Sequence, residues 1–225
     1  MRDAPRPLAV DAVLFDLDGT LADTAGDLAG AVNRVRADRG LPPVPVDQVR
    51  PHASSGARGM LAAGMGVQAD DPGYAELRDA FLAHYATGLA DSTRLFAGVD
   101  ALLAALDARR IRWGIVTNKA TRFTTPVAAA LGLAARTTVI VSGDTTAFAK
   151  PHPAPLLHAA AQLGVAASRC MYVGDDLRDV EAGNAAGMAT LVAMYGYVGG
   201  SDPAGWPATG WIMAPGDVLA WLPAT

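Results

Sequence analysis

Apolar and polar positions change rhythm twice along this chain of 225 residues. The continuous apolar run Val13-Leu14-Phe15 predicts a strand buried on both faces and ending near Asp16. Leu28, Ala31, Val32 and Val35 then recur at helical spacing. A helix is expected from a cap at Asp23 or Thr24 to about Arg39, where Gly40 stops it. Leu41 to Val46 holds three prolines and reads as a loop. From Asp47 to Leu89 every pattern is helical. Two short helices lie between Gln48 and Met65 around Ser54-Ser55-Gly56, and a longer one from Tyr74 to Leu89 is carried by Leu77, Phe81, Leu82 and Tyr85.

Beyond this block, strands and helices alternate. A helix starts at Gly98 and runs to about Ala108, and Ile111 to Val116 is a strand. Thr121 to Leu131 is a helix closed by Gly132, followed by a strand from Thr138 to Val141. Ala154 to Leu163 is a helix closed by Gly164, and Met171 to Val173 a strand. The next helix ends at Gly187, and Thr190 to Ala193 is a strand. Tyr195 to Thr209 is a loop, Trp211 to Met213 a last short strand, and a C-terminal helix closes the chain. Such alternation predicts an α/β fold, a Rossmann-like parallel sheet built of right-handed units, with a helical cap inserted after the first strand. The expected division is 1–21 plus 93–225 for the α/β core and 22–92 for the cap, with residues 1–9 as a loose leader. There is no internal repeat.

Composition narrows the setting. Hydrophobic residues make up 51% of the chain, enough for a sizeable core. The net charge of -4 and the lack of a basic run give no footprint for nucleic acid. The single cysteine, Cys170, excludes an intrachain disulfide and fits a reducing compartment. Arg2 and Arg6 precede an apolar patch, but Asp16 and Asp18 interrupt it where a signal-peptide cleavage site should fall. No apolar stretch reaches membrane-spanning length, so a cytoplasmic protein without a membrane partner, monomer or homodimer, is expected.

The candidate chemistry sits at strand ends. Asp16, Asp18 and Thr20 follow the first strand, and Thr117, Asn118 and Lys119 follow a later one. Lys150 lies in a further loop, and Asp175, Asp176 and Asp179 follow the Met171–Val173 strand. In a parallel sheet these ends share one edge, where ligands bind. Asp16-Leu17-Asp18-Gly19 alone is equally an Asp-Gly turn with solvated acids. The four groups in this order are a much more specific pattern.

That pattern resembles the haloacid dehalogenase superfamily of phosphatases. Within it, Ser55-Gly56-Ala57-Arg58, Leu95-Phe96-Ala97-Gly98, Trp113-Gly114-Ile115-Val116-Thr117-Asn118-Lys119, Gly174-Asp175-Asp176-Leu177-Arg178-Asp179 and Tyr195-Gly196-Tyr197 resemble the phosphoglycolate phosphatase branch, and more closely the bacterial N-acetylmuramic acid 6-phosphate phosphatases. The resemblance implies a Mg2+-dependent hydrolysis of a small phosphomonoester through an aspartyl-phosphate. Asp16 is the expected nucleophile, and Asp18 the acid that protonates the leaving alcohol and then activates water. Asp18 is absent from the dehalogenases of the superfamily, so its presence favours phosphoryl transfer.

Mg2+ takes oxygen ligands, expected from Asp16, the backbone carbonyl of Asp18 and Asp175, with Asp179, outside the ligand set, orienting a metal-bound water or holding Lys150. Thr117 and Asn118 can donate to phosphate, and Lys150 can neutralise the transferring group. Lys119 faces either the pocket or solvent, and Asp176 either the metal or the helix it can cap. In the cap, Arg58 is the candidate for a substrate carboxylate, which phosphoglycolate and N-acetylmuramic acid 6-phosphate both carry. His52, His84, His152 and His158 pair at no metal-ligand spacing. Trp206 is read as structural or as lining a partner surface. The alternatives are a sugar-phosphate phosphatase or phosphomutase of the same superfamily, or a non-catalytic regulatory protein of this fold. A phosphonate hydrolase is disfavoured, because residues 22–92 contain no lysine for a Schiff base.

Overall fold

The apolar run that opens the sequence becomes the middle of the molecule. In the computed structural model, which describes residues 6–137, 139–199 and 202–223, the strands in chain order are β1 (Ala12–Phe15), β2 (Ala22–Asp23), β3 (Arg94–Leu95), β4 (Arg112–Val116), β5 (Ile140–Val141), β6 (Cys170–Gly174), β7 (Ala189–Ala193) and β8 (Gly210–Ile212). Six form one sheet in the order β5-β4-β1-β6-β7-β8, and every pairing in it is parallel. All four residues of β1 are fully buried, as its unbroken apolarity requires.

Alternate residues feed two cores. Val13, Phe15, Ile115 and Val173 face Leu102, Leu103 and Leu106 of α5 (Val99–Ala108) and Val127 of α6 (Thr121–Ala130). Leu14, Val116, Cys170 and Tyr172 face Leu156 and Ala159 of α7 (Ala154–Leu163) and Ala182 of α8 (Leu177–Ala185). The chain builds outward from β1 to β4 and β5 on one side, then crosses to β6 on the other. The order therefore reverses at β1, whose carboxyl end opens into the crevice where such folds bind ligands.

Between β2 and β3 lie α1 (Ala25–Ala37), α2 (Val46–Val49), α3 (Gly56–Met65) and α4 (Tyr74–Ala86). Their apolar faces make a separate cluster around Val32, Met60, Leu61, Leu77, Phe81 and Tyr85, which Phe123 of α6 and Tyr197 join. The antiparallel pair β2/β3 carries the chain out of the sheet region and back. Asp27 clasps this hinge. Its two oxygens accept from the amide and hydroxyl of Ser92 (2.8 and 2.6 Å) and of Thr93 (3.0 and 2.6 Å).

Several elements differ from their sequence expectation. The pair β2/β3 is too short for any alternation to announce it. The block before α3 is a 3-10 turn, Arg50–Ser55, ended by Gly56 at φ 55 and ψ -145, a backbone geometry open to glycine. The α4 helix stops at Ala86 because Thr87 turns its hydroxyl back to the His84 carbonyl at 2.8 Å. The C-terminal helix is 3-10, Pro215–Trp221: Pro215 and Gly216 are poor helix formers, and Asp217 takes the amides of Met213 and Ala214. Pro151 follows Lys150 through a cis peptide bond, and α7 begins at Ala154, as expected. Trp206 is buried with Val180 and Val192, so it lines no partner surface. Residues 1–5 of the expected leader and Thr138 of the expected strand lie outside the described residues.

Candidate active site

Loops from the core and one turn of the cap meet over the carboxyl end of β1. Asp16 leaves that strand with its amide donating to Val173 O at 2.9 Å and its Oδ1 accepting from the Leu17 amide at 2.8 Å. The chain then turns sharply at Gly19, whose φ of +83 suits glycine, and a Cβ there would lie 2.2 Å from Asp175 Oδ2. The turn is therefore shaped to let Asp175, at the end of β6, approach β1.

Carboxylate oxygens of Asp16, Asp175 and Asp179 lie within 4.8 Å of one another, and all three residues are buried. Burial pushes the Asp16 carboxyl up to about 7, against the pull of Lys150 and with the push of Asp179 and Asp18. Burial, then Asp16 and Asp179, drives Asp175 well above the carboxylate range. Three buried acids face one buried ammonium. Lys150 Nζ lies 3.0 Å from Asp16 Oδ1 and 2.7 Å from Asp179 Oδ1. It also donates to Tyr172 Oη at 2.7 Å and lies 3.1 Å from Val116 O. Burial opposes its charge, but Asp16 and Asp179 hold its pKa above the ordinary lysine value. Ionised, the cluster has two negative charges in excess, which is the charge of one Mg2+. The donor set is all oxygen, as that ion requires, so the residues present fit it.

The remaining predicted positions divide. Thr117 is buried at the end of β4 and lines the cavity over Asp16 and Asp18, which encloses about 290 Å3. Asn118 lines it too, and its side chain also meets the Lys150 backbone: Nδ2 donates to Lys150 O and Oδ1 accepts from Lys150 N, each at 2.9 Å, which leaves the second Nδ2 hydrogen for another acceptor. Asn118 thus holds the Lys150 backbone. Lys119 faces the site, with Nζ 2.9 Å from Asp18 Oδ1 and 3.2 Å from Oδ2. Asp18 Oδ1 also accepts from Thr24 Oγ1 at 2.6 Å. Thr24 sits at the N-cap of α1 but points its hydroxyl at this acid, and the capping oxygen is Tyr197 Oη, which accepts from the amides of Thr24 (2.7 Å) and Ala25 (2.9 Å).

Asp176 caps α8. It accepts from the Arg178 amide at 2.9 Å, while Asp179 Oδ2 accepts from the Asp176 amide at 3.0 Å. Its carboxyl also pairs with the Arg178 guanidinium at 2.8 Å, which outweighs burial and keeps its pKa below the usual range. Arg58 is exposed and does not line the cavity over Asp16. It lines an adjoining one of about 400 Å3 with Asp176, Arg178 and Glu181, and the two cavities share Ser55 and Arg178.

Sequence reasoning did not single out four residues that the structure places here. Tyr172, hidden inside a strand pattern, donates to Val116 O at 2.7 Å and lies 3.2 Å from Asp179 Oδ1. Ser54 of the cap donates to Asp175 Oδ2 at 2.8 Å, and the Tyr197 amide meets the same oxygen at 3.0 Å. Arg178 donates to Ser54 O at 2.9 Å, binding the cap turn to the core. A polar residue inside a buried strand, as Tyr172 is, was the one available signal. The histidines stay apart: His84 pairs with Asp38, His158 meets Gln162, and His152 stacks on Phe148. Burial lifts the Cys170 thiol to about 11, so it behaves as a core residue. Among the described residues, no helix is long and apolar enough to cross a membrane.

Known proteins are similar to this chain in sequence and fold. Residues 13–193 match the model of the haloacid dehalogenase-like hydrolase family. The chain is 45% identical over 202 residues to the N-acetylmuramic acid 6-phosphate phosphatase of Pseudomonas aeruginosa, covering 89% of each. It is 44% identical over 214 residues to the phosphoglycolate phosphatase of Xanthomonas campestris pv. campestris, covering 95% of this chain and 96% of that one. The crystal structure of a predicted phosphoglycolate phosphatase from Haemophilus somnus superposes with a TM-score of 0.82 at 26% identity, over 94% of this chain and 97% of that one.

Proposed function

The chain belongs to the haloacid dehalogenase-like hydrolase family, and from that premise we propose that it is a Mg2+-dependent phosphatase that hydrolyses a small, carboxylate-bearing phosphomonoester through an aspartyl-phosphate on Asp16. The observation that carries this reading is the buried Asp16–Asp175–Asp179 cluster with Lys150 against it. Such an excess of buried carboxylate suits a site completed by a divalent cation and a phosphate. The core is taken as 1–21 plus 93–225, and the cap as 22–92.

In this reading Asp16, the Asp18 backbone carbonyl and Asp175 would hold Mg2+, which when bound neutralises the carboxylates and polarises the phosphate. Asp16 attacks phosphorus as the alcohol leaves. Asp18 gives the departing oxygen its proton and then takes one from the water that hydrolyses the aspartyl-phosphate. Thr117 donates to a phosphate oxygen, and Lys150 offsets the charge on the transferring group. Asp179 orients Lys150, which it touches at 2.7 Å. The cap covers the site through Ser54 and its neighbours and keeps water from the acyl phosphate.

Both named relatives' substrates carry a carboxylate. We favour the longer acid, N-acetylmuramic acid 6-phosphate or an ester of its size, over 2-phosphoglycolate. Arg58 lies beyond the phosphate pocket, in a neighbouring cavity that has Ser55 and Arg178 in common with it as wall residues. An elongated ester would have its carboxylate near Arg58 while its phosphate sits on Asp16. The test is turnover of both esters and of neutral sugar phosphates, with Mg2+ and with EDTA. The reading expects Mg2+-dependent hydrolysis, fastest for the longer acid, and a rise in KM for acids alone in Arg58→Ala. No turnover, or turnover that survives EDTA, overturns it.

A further inference from the structure

Lys119 and Lys150 are the only lysines of the chain, and both are buried against carboxylates of one site. The reading above uses Lys150 and leaves Lys119 without a task. Lys119 is held from three directions. Its backbone amide meets Thr117 Oγ1 at 3.2 Å, and its carbonyl accepts from the Gly143 amide at 2.9 Å and Thr124 Oγ1 at 3.0 Å. Its ammonium, on a side chain 7% exposed, is paired with Asp18. The same ammonium lies 4.7 Å from the ring centroid of Tyr85, which reaches it from cap helix α4. Tyr85 is itself wedged between Phe81 and Phe123, with ring centroids 6.3 and 5.4 Å away. The cap thus covers the Lys119 ammonium with aromatic surface.

The two oxygens of Asp18 are not equivalent. Oδ1 accepts from both Thr24 Oγ1 at 2.6 Å and Lys119 at 2.9 Å, whereas among the described residues Oδ2 has only the longer 3.2 Å contact with Lys119. Oδ2 is therefore the oxygen with capacity for another partner. An arginine here would grip both oxygens with its planar fork, whereas a lysine ammonium can hold one and release the other.

We propose that Lys119 is a positioning residue for Asp18, anchoring Oδ1 so that Oδ2 exchanges the proton, and that it stabilises the carboxylate that exists between the two half-reactions. The inference rests on the acid and base role proposed for Asp18. As the Asp16–phosphorus bond forms and the phosphorus–alcohol bond breaks, Asp18 passes its proton to the leaving oxygen and becomes a carboxylate beside the Lys119 ammonium. As water attacks phosphorus and the Asp16–phosphorus bond breaks, Asp18 takes a proton from that water and returns to its starting form. Lys119 keeps its own proton throughout. Its contribution is largest where the leaving group most needs a proton.

The experiment compares leaving groups. An alkyl phosphate, N-acetylmuramic acid 6-phosphate or 2-phosphoglycolate, expels an alkoxide that must be protonated. The aryl ester p-nitrophenyl phosphate expels a phenolate that departs unaided. Lys119→Met is expected to slow the alkyl ester by about 10²-fold, the scale of lost acid–base catalysis, and the aryl ester by less than about tenfold. The double variant Asp18→Asn/Lys119→Met is expected to be no slower on the alkyl ester than Asp18→Asn alone, because the two residues act as a unit. Lys119→Arg keeps the buried charge paired and guards against misfolding; it too should slow the alkyl ester selectively. Equal losses on both esters, multiplied losses in the double variant, or no loss overturn the proposal. Failure of the phosphatase reading is distinct, since the unsubstituted protein would then turn over neither ester.

Discussion

Ser54 Oγ, carried by the cap, donates a 2.8 Å hydrogen bond to Oδ2 of Asp175 at the end of β6. Cap and core are therefore joined at a carboxylate proposed to bind Mg2+. The same oxygen accepts from the Tyr197 amide, and Oδ1 accepts from Thr20 Oγ1 at 3.2 Å, so Asp175 is oriented from three sides. Partners of this kind typically contribute ten- to a hundredfold to metal affinity. Ser54→Ala is expected to raise the Mg2+ concentration at half-maximal activity about tenfold. A Mg2+ titration of turnover measures it, and an unchanged midpoint contradicts the assignment.

The cluster makes a second prediction, on pH. Burial raises the Asp16 carboxyl to about 7, well above its ordinary range near 3.8, against Lys150, and raises Asp175 in the same direction. A folded-state pKa above the unfolded one means the folded state binds the proton more tightly. That contribution to stability is complete below about pH 4 and is lost as pH rises through about 7. In EDTA the melting temperature is expected to fall between pH 5 and pH 8, and added Mg2+ should restore it most at pH 8. A metal-free protein whose melting temperature climbs over that interval would exclude the buried-acid description.

Lys150 is the cation that pairs with Asp16 and Asp179 inside the cluster. Removing it leaves Asp16 and Asp179 buried without their ammonium, a change that costs about 3–5 kcal/mol when one partner of a buried pair is deleted. Lys150→Met should lower the melting temperature by about 10 °C, at roughly 2–4 °C per kcal/mol for a chain of this size. A shift under about 2 °C in EDTA at pH 8 would show that the pair is not desolvated as described.

Most of this was legible in the sequence. The strand ends bearing Asp16, Asp18, Thr117, Lys150 and Asp175 could be placed on one edge because parallel topology leaves no alternative. Partners assigned by side-chain geometry were not legible. Asn118 could be placed near phosphate, but its clasp on the Lys150 backbone depends on two loops 32 residues apart in sequence meeting face to face. Lys119 left two readings open until Asp18 was seen 2.9 Å away. Arg58 sits on a helix whose rotation the pattern did not fix, and it faces the adjoining cavity. The hinge strands β2 and β3 escaped notice because two residues cannot show a period.

The central claim is that Asp16 is the group that receives the phosphoryl. Its most direct test is steady-state turnover of the Asp16→Asn protein with saturating Mg2+, on an alkyl and on an aryl phosphate, after its melting curve has established that it is folded. Asparagine keeps the shape and removes the nucleophilic carboxylate. Loss of at least about 10⁴-fold on both esters is the result predicted, the scale on which nucleophile deletions act. Turnover within about tenfold of the unsubstituted protein would mean that phosphorus is attacked by something other than Asp16.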